Sequence, residues 1–159
     1  MERKILLLGD PKLYEMSKEC TKDELPRIRQ IQDDLRDSLI EFRNKYGVGR
    51  AIAAPQIGVK KRIIYRHLES PILFINPRIE YPDDEKMEVL DDCMSFPGLF
   101  VKVMRYKRCV FHYKDENWND CSLEFEGDMS ELLQHEYDHL DGILATMRAI
   151  DNKSFVIKG

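Results

Sequence analysis

The sequence predicts an α+β fold, with antiparallel or mixed β-sheets packed around a C-terminal helix that bears H-E-x-x-H, plus an N-terminal helix. Three observations carry this. Apolar residues recur at helical spacing in one early and one late segment. Several short apolar or alternating runs lie between them, bounded by turn residues. The late segment contains Gln134-His135-Glu136-Tyr137-Asp138-His139 and so the metal motif itself.

The elements follow in order. Pro26 to Asn44 places Ile28, Ile31, Leu35, Leu39, Ile40 and Phe42 close to the helical period, and Gly47 and Gly49 stop it. Strands are predicted at Arg62 to Tyr65, Ile72 to Ile75, Phe100 to Arg105, Arg108 to Tyr113 and Ser122 to Phe125. Tyr81 to Lys86, rich in proline and acid, reads as a surface loop. Lys114 to Asp120 reads as the turn of a hairpin. Met129 to Leu140 is the second helix, with Asp128 as its N-cap, Glu131 completing a capping box and Gly142 ending it. Ile143 to Gly159 leaves room for one short strand or an irregular end.

The length of 159 residues suits one compact domain spanning 1–159, with no internal repeat. The net charge of −4 gives no overall basic field for nucleic acid. No apolar run approaches the ~18 residues that span a bilayer, so no membrane partner is expected. Ile5 to Leu8 is too short for the apolar core of a signal peptide, so a cytoplasmic protein is expected, with an organelle lumen as the alternative. Cys20, Cys93, Cys109 and Cys121 are scattered and form no C-x-x-C pair, which argues against a zinc ribbon.

Residues four apart share a helix face, so His135 and His139 can bind one metal together. Glu136 stands beside the first of them, where it can act as general base for a metal-bound water. A catalytic site needs a third protein ligand and an open position. Nothing after His139 supplies it, because the remaining residues include no His and no Glu. The third ligand must come from upstream, and Cys93, Cys109, Cys121, His67, His112 and several carboxylates are candidates. Cys93 is the best, because Asp91 to Gly98 is a turn-rich segment that can present both a thiolate and a free backbone N–H. Taken alone, Cys93 would read as a buried structural thiol.

Three short motifs then stand in order: Gly49-Arg50-Ala51-Ile52-Ala53-Ala54-Pro55-Gln56, Asp91-Asp92-Cys93-Met94-Ser95, and Gln134 to His139. The chain resembles the peptide deformylases, whose motifs are G-x-G-x-A-A-x-Q, E-G-C-x-S and Q-H-E-x-D-H. The resemblance implies that the fold is deformylase-like and that Cys93, His135 and His139 bind one divalent metal. Ferrous iron is favoured, with zinc, nickel or cobalt able to take its place. It implies removal of N-formyl groups, most simply from the formylmethionine of nascent peptides, by metal-bound hydroxide with Glu136 as general base. Gln56 and the backbone N–H of Met94 would hold the oxyanion. Asp91 and Arg105 would pair in support of the Cys93 loop. An N-formylated peptide is the expected partner, together with a transient ribosome contact, although the segment after Gly142 is too short for a long docking helix. Oligomeric state is left open.

The departures bear on substrate choice. Ala51 replaces the second glycine of the first motif, and Asp91-Asp92 replaces Glu-Gly in the second. The expected substrate pocket comprises Arg50, Ala51, Ile52, Glu131 and Leu132, and two of its usually apolar wall positions are here Arg50 and Glu131. Either the two meet as an ion pair at the pocket, or both reach for solvent above a surviving methionine site. A hydrolase for a more polar N-formyl or N-acyl substrate is therefore one alternative, and a catalytically silent metal-binding relative is another.

Overall fold

The computed structural model describes residues 1–158. The long first helix, α1, spans Leu25–Tyr46 and buries Ile28, Ile31, Leu35, Leu39 and Phe42 along one stripe. Gly47 ends it in the left-handed conformation, its N–H donating to the Arg43 carbonyl. Eight strands follow: β1 Ala51–Ala53, β2 Ile63–Arg66, β3 Ile72–Glu80, β4 Lys86–Asp91, β5 Leu99–Tyr106, β6 Arg108–Lys114, β7 Asp120–Glu126 and, after the second helix, β8 Phe155–Ile157. The second helix, α2, spans Asp128–Leu140.

The strands form two antiparallel sheets, ordered β1-β2-β3-β6-β7 and β4-β5-β8. Three apolar clusters fill the space around them. The first joins α1 to β1, β2 and β3 through residues such as Leu35, Ile52, Ile63 and Ile75. The second lies under the smaller sheet, with Val101 and Val103. The third packs Leu133 and Leu140 of α2 on Phe74 and Phe111 of the larger sheet. Helix α2 thus has apolar residues fixing it on one side while its histidines meet the loop that follows β4.

Several expectations need correction. Strand β4 falls in a stretch that the acidic composition disguises. Its charged Lys86 and Glu88 face outward, and Met87, Val89 and Asp91 face inward. Strand β1 is buried at every position, so it shows no alternation to read. Strand β3 continues past Asn76-Pro77 because its register with β6 shifts between Ile75 and Arg78. Such a bulge accommodates a proline, which has no N–H for a ladder. Asn76 takes a positive φ of 50° there, its side chain bridging the N–H and carbonyl of Cys20. The N-cap of α2 is Gly127, not Asp128, and no side chain caps the helix, so the expected capping box is absent. Glu131 is thereby free to turn elsewhere. The tail takes the short-strand option, as β8 on the edge of β5.

Candidate metal centre

Cys93, His135 and His139 are all buried, and their ligand atoms lie within 4.8 Å of one another. Cys93 Sγ stands 3.3 Å from His139 Nε2. Two ligands of a tetrahedral site with metal–sulfur and metal–nitrogen bonds of about 2.3 and 2.0 Å stand about 3.5 Å apart, so the spacing fits a first-row cation. The donor set fits too, because one thiolate and two imidazoles suit divalent iron, zinc, nickel or cobalt. None of the other upstream candidates joins this cluster among the described residues, although His67 lines the same cavity. Cys109 belongs to the third apolar cluster. His112 bonds Glu80 and Ser122 on the larger sheet. His67 bonds the Tyr65 hydroxyl. Cys121 bonds Asp115 in the hairpin turn.

His135 is oriented by Asp91, whose Oδ2 lies 2.9 Å from Nδ1. That contact leaves Nε2 for a cation. The same carboxylate accepts from Arg105 at 2.7 Å, and Arg105 also donates to Asp138 at 2.8 Å. Arg148 then closes on Asp138 with two bonds, of 2.6 and 3.0 Å. A chain of alternating charge therefore runs from the half-exposed Arg148 to a buried imidazole. Burial opposes ionisation of Asp91, but His135 and Arg105 overcome it and hold its carboxyl down at about 2. Burial likewise opposes charge on His135, yet Asp91 and Cys93 raise its affinity for a proton. His139 is pushed the other way, by burial and by His135. Asp138 sits inside the third motif, and its partners Arg105 and Arg148 lie 33 and 10 residues away, at spacings that no helical or strand period signals.

Glu136 is buried beside these groups, with Oε2 lacking a hydrogen-bond partner among the described residues, and burial pushes its carboxyl up to about 7. Gln56 is also buried. The Ala53 N–H donates to its Oε1 at 2.9 Å, which aims Nε2 at Ser95 Oγ, 3.2 Å away, and at Cys93 Sγ, 3.6 Å away. Met94 follows Cys93 in a tight turn in which the Ser95 N–H donates to the Cys93 sulfur.

A cavity of about 980 Å³ opens on Cys93, His135 and Glu136. Arg50, Ala51, Glu131 and Leu132 line it as expected. Ile52 does not: strand alternation turns it into the cluster beneath α1, where it is fully buried. Arg50 Nη2 lies 3.5 Å from Glu131 Oε1, so the two charges meet. Burial, and after it Asp91, pushes the Glu131 carboxyl up to about 7 against the pull of Arg50. The motif departures have simple explanations. Gly49 has a φ of 135°, and a Cβ there would come within 3.2 Å of Leu39 on α1. Ala51 lies in a strand, and Asp92 is not among the positive-φ residues, so neither position requires glycine.

An H-E-x-x-H helix met by a cysteine from an upstream loop, rather than by a downstream ligand, defines a class of metal-dependent hydrolase. A family profile described as Polypeptide deformylase matches residues 2–155. The peptide deformylase of Pseudothermotoga lettingae is 35% identical over 159 residues, covering 99% of this chain and 89% of that protein. That of Dictyoglomus turgidum is 34% identical over 155 residues, covering 97% of each. The crystal structure of the Thermotoga maritima peptide deformylase superposes with a TM-score of 0.86 at 29% identity, over 95% of this chain and 99% of that one. The Synechococcus elongatus enzyme, solved in complex with actinonin, gives 0.85 at 30% identity, over 93% of this chain and 79% of that one. The chain belongs to the polypeptide deformylase family.

Proposed function

We propose that this protein removes the N-formyl group from the N-termini of nascent peptides, with Cys93, His135 and His139 holding one divalent metal ion. The convergence of those three ligand atoms beside the Glu136 carboxylate carries the reading. When bound, the cation supplies a Lewis acid for the formyl carbonyl and lowers the pKa of a water. The protein does the rest. Glu136 takes a proton from the attacking water and returns it to the departing amine nitrogen, so that formate and a free amino terminus result. The Gln56 amide, held by the Ala53 N–H, and the Met94 N–H donate to the oxygen that gains charge. Asp91 keeps the His135 ring in the tautomer whose Nε2 is a ligand.

Ferrous iron is our choice among the cations that this donor set accepts, on the family resemblance. A transient ribosome contact and a cytoplasmic location belong to the same reading, because formylated chains emerge there. The experiment is anaerobic purification with ferrous iron, followed by formate release from formyl-Met-Ala-Ser. Formate should appear with the parent protein and not with Cys93→Ser. A protein with stoichiometric metal that releases no formate from any formylated peptide would end the proposal.

A further inference from the structure

His67 follows β2 and lines the cavity that opens on Cys93, His135 and Glu136, outside the ligand cluster itself. Three contacts hold it. Its N–H donates to the Arg50 carbonyl at 2.9 Å, which carries the β1–β2 pairing one residue beyond Ala51 and Arg66. Its carbonyl accepts from Arg43 Nη2 at 2.6 Å, and the same guanidinium donates to the Gly49 carbonyl at 2.7 Å. Its ring meets the Tyr65 hydroxyl, 2.6 Å from Nδ1. Helix α1, strand β2 and the segment before β1 thus each fix one polar group of a single residue. The tautomer of the ring follows. Tyr65 is buried, and among the described residues His67 Nδ1 is the only hydrogen-bond partner of its hydroxyl. The hydroxyl therefore donates and Nδ1 accepts. Burial, and after it Arg43 and Arg36, disfavours the imidazolium, so the ring is neutral near pH 7 and its one proton is on Nε2. Nε2 has no partner among the described residues and is not one of the buried polar atoms, so a molecule in the cavity can reach it.

We propose that His67 Nε2 is a substrate-binding donor, giving its N–H to a backbone carbonyl of the formylated peptide beyond the formylated residue. The inference rests on the deformylase reading of the same cavity. With the formyl carbon at the ligand cluster, the first residue fills the space beside it. The cavity of about 980 Å³ is near the top of the range of about 300–1,000 Å³ for small-ligand sites, so it has room for more of the chain. The part that meets His67 is this downstream part. Every residue of a peptide carries a carbonyl, so the contact is blind to sequence. That suits an enzyme whose substrates share only their first residue. A donor fixed in advance at its backbone and at its ring costs the ligand little further ordering. The carbonyl takes no part in the reaction, so the contact is as strong before the transition state as in it and acts on binding rather than on the chemical step.

Calorimetric titration of the zinc-loaded Glu136→Ala protein with formyl-methionine methylamide and with formyl-Met-Ala-Ser amide tests this without turnover. Adding His67→Phe keeps a flat ring and removes the donor. It should weaken the tripeptide about 3- to 10-fold, the weight of one neutral hydrogen bond, and leave the short ligand unchanged. His67→Gln restores an N–H at the end of the side chain and should recover most of the loss. Tripeptide binding untouched by His67→Phe, an equal loss for both ligands, or no recovery with His67→Gln would overturn the proposal. In the iron-loaded protein His67→Phe should raise KM for the tripeptide by the same factor, with little change in kcat. The two readings fail separately. An iron-loaded parent that releases no formate from either ligand removes the deformylase reading and this proposal with it. Formate release with an unaltered KM in His67→Phe removes this proposal alone.

Discussion

Asp91 Oδ2 lies 2.9 Å from His135 Nδ1, so one carboxylate oxygen fixes the orientation of an imidazole in the Cys93–His135–His139 cluster. Asp91→Asn keeps the shape but puts a neutral amide in place of the anion. Metal affinity should fall about 10- to 100-fold, as is usual when such a supporting contact is lost. Competition with a chromophoric chelator measures this, and unchanged affinity would remove Asp91 from the site.

Arg105 is the single cation between two buried carboxylates, at 2.7 Å from Asp91 and 2.8 Å from Asp138. Arg105→Leu leaves Asp91 without a guanidinium and Asp138 with Arg148 alone. The expected loss of stability is about 3–5 kcal/mol, read from the urea midpoint, since breaking a buried pair strands a charge. By contrast, Arg148→Ala removes a half-exposed partner and should cost about 1 kcal/mol or less.

Glu136→Gln should retain one metal per chain and lose formate release by about 10²- to 10⁴-fold, the usual weight of a positioned base. The paired measurement is metal content by atomic emission alongside kcat. Wild-type turnover in this variant would remove Glu136 from the reaction.

Glu131 makes stability depend on pH. Its folded carboxyl is raised to about 7 from an ordinary 4.5, chiefly by burial. Between those values the unfolded chain has released a proton that the folded chain keeps, so this group stabilises the fold at low pH, and its contribution is lost as pH rises through about 7. Glu131→Gln removes that dependence. The Tm of the variant relative to the parent should therefore climb from pH 4.5 to 7 and level off above it. A Tm difference that is flat across pH 5–8 would show that the carboxyl titrates normally.

Gly142 ends α2 with a φ of +73°, and a Cβ there would sit 2.5 Å from the Tyr14 carbonyl oxygen. Gly142→Ala combines a left-handed alanine with a backbone clash that no side-chain movement relieves. About 2 kcal/mol or more should be lost in a denaturant titration. Gly58→Ala, where a Cβ would meet nothing within 4 Å, should cost only the φ penalty of about 1 kcal/mol and serves as the control.

The helical period of α1, the turn residues at Lys114 to Asp120 and the six-residue histidine motif are local patterns, and they were legible. Long-range information was not. Strand β4 was hidden because Lys86 and Glu88 face water beside an acidic loop. Ile52 shares a motif with the pocket residues Arg50 and Ala51, but in a strand adjacent residues face opposite ways, and the motif alone does not show that it is a strand. Asp128 has the chemistry of a cap, but the backbone turn falls one residue earlier, at Gly127, with a φ of 64°. Arg148 could not be tied to Asp138 by spacing, because a turn and a short 3₁₀ segment intervene. The missing third ligand makes Cys93 one of several upstream candidates, the resemblance to the deformylases singles it out, and the structure brings it together with His135 and His139.

The end of α2 is held by groups distant in sequence. The Leu140 carbonyl accepts from the Ser17 N–H at 2.8 Å and from Arg62 Nη1 at 3.0 Å, the latter across 78 residues. His139 directly precedes that carbonyl. The histidine motif is thus a short word whose geometry depends on distant parts of the chain. The last turn of α2, and His139 with it, is placed by segments far away in the chain, so a substitution at Arg62 should be felt at the cysteine–histidine cluster although it touches none of the three side chains.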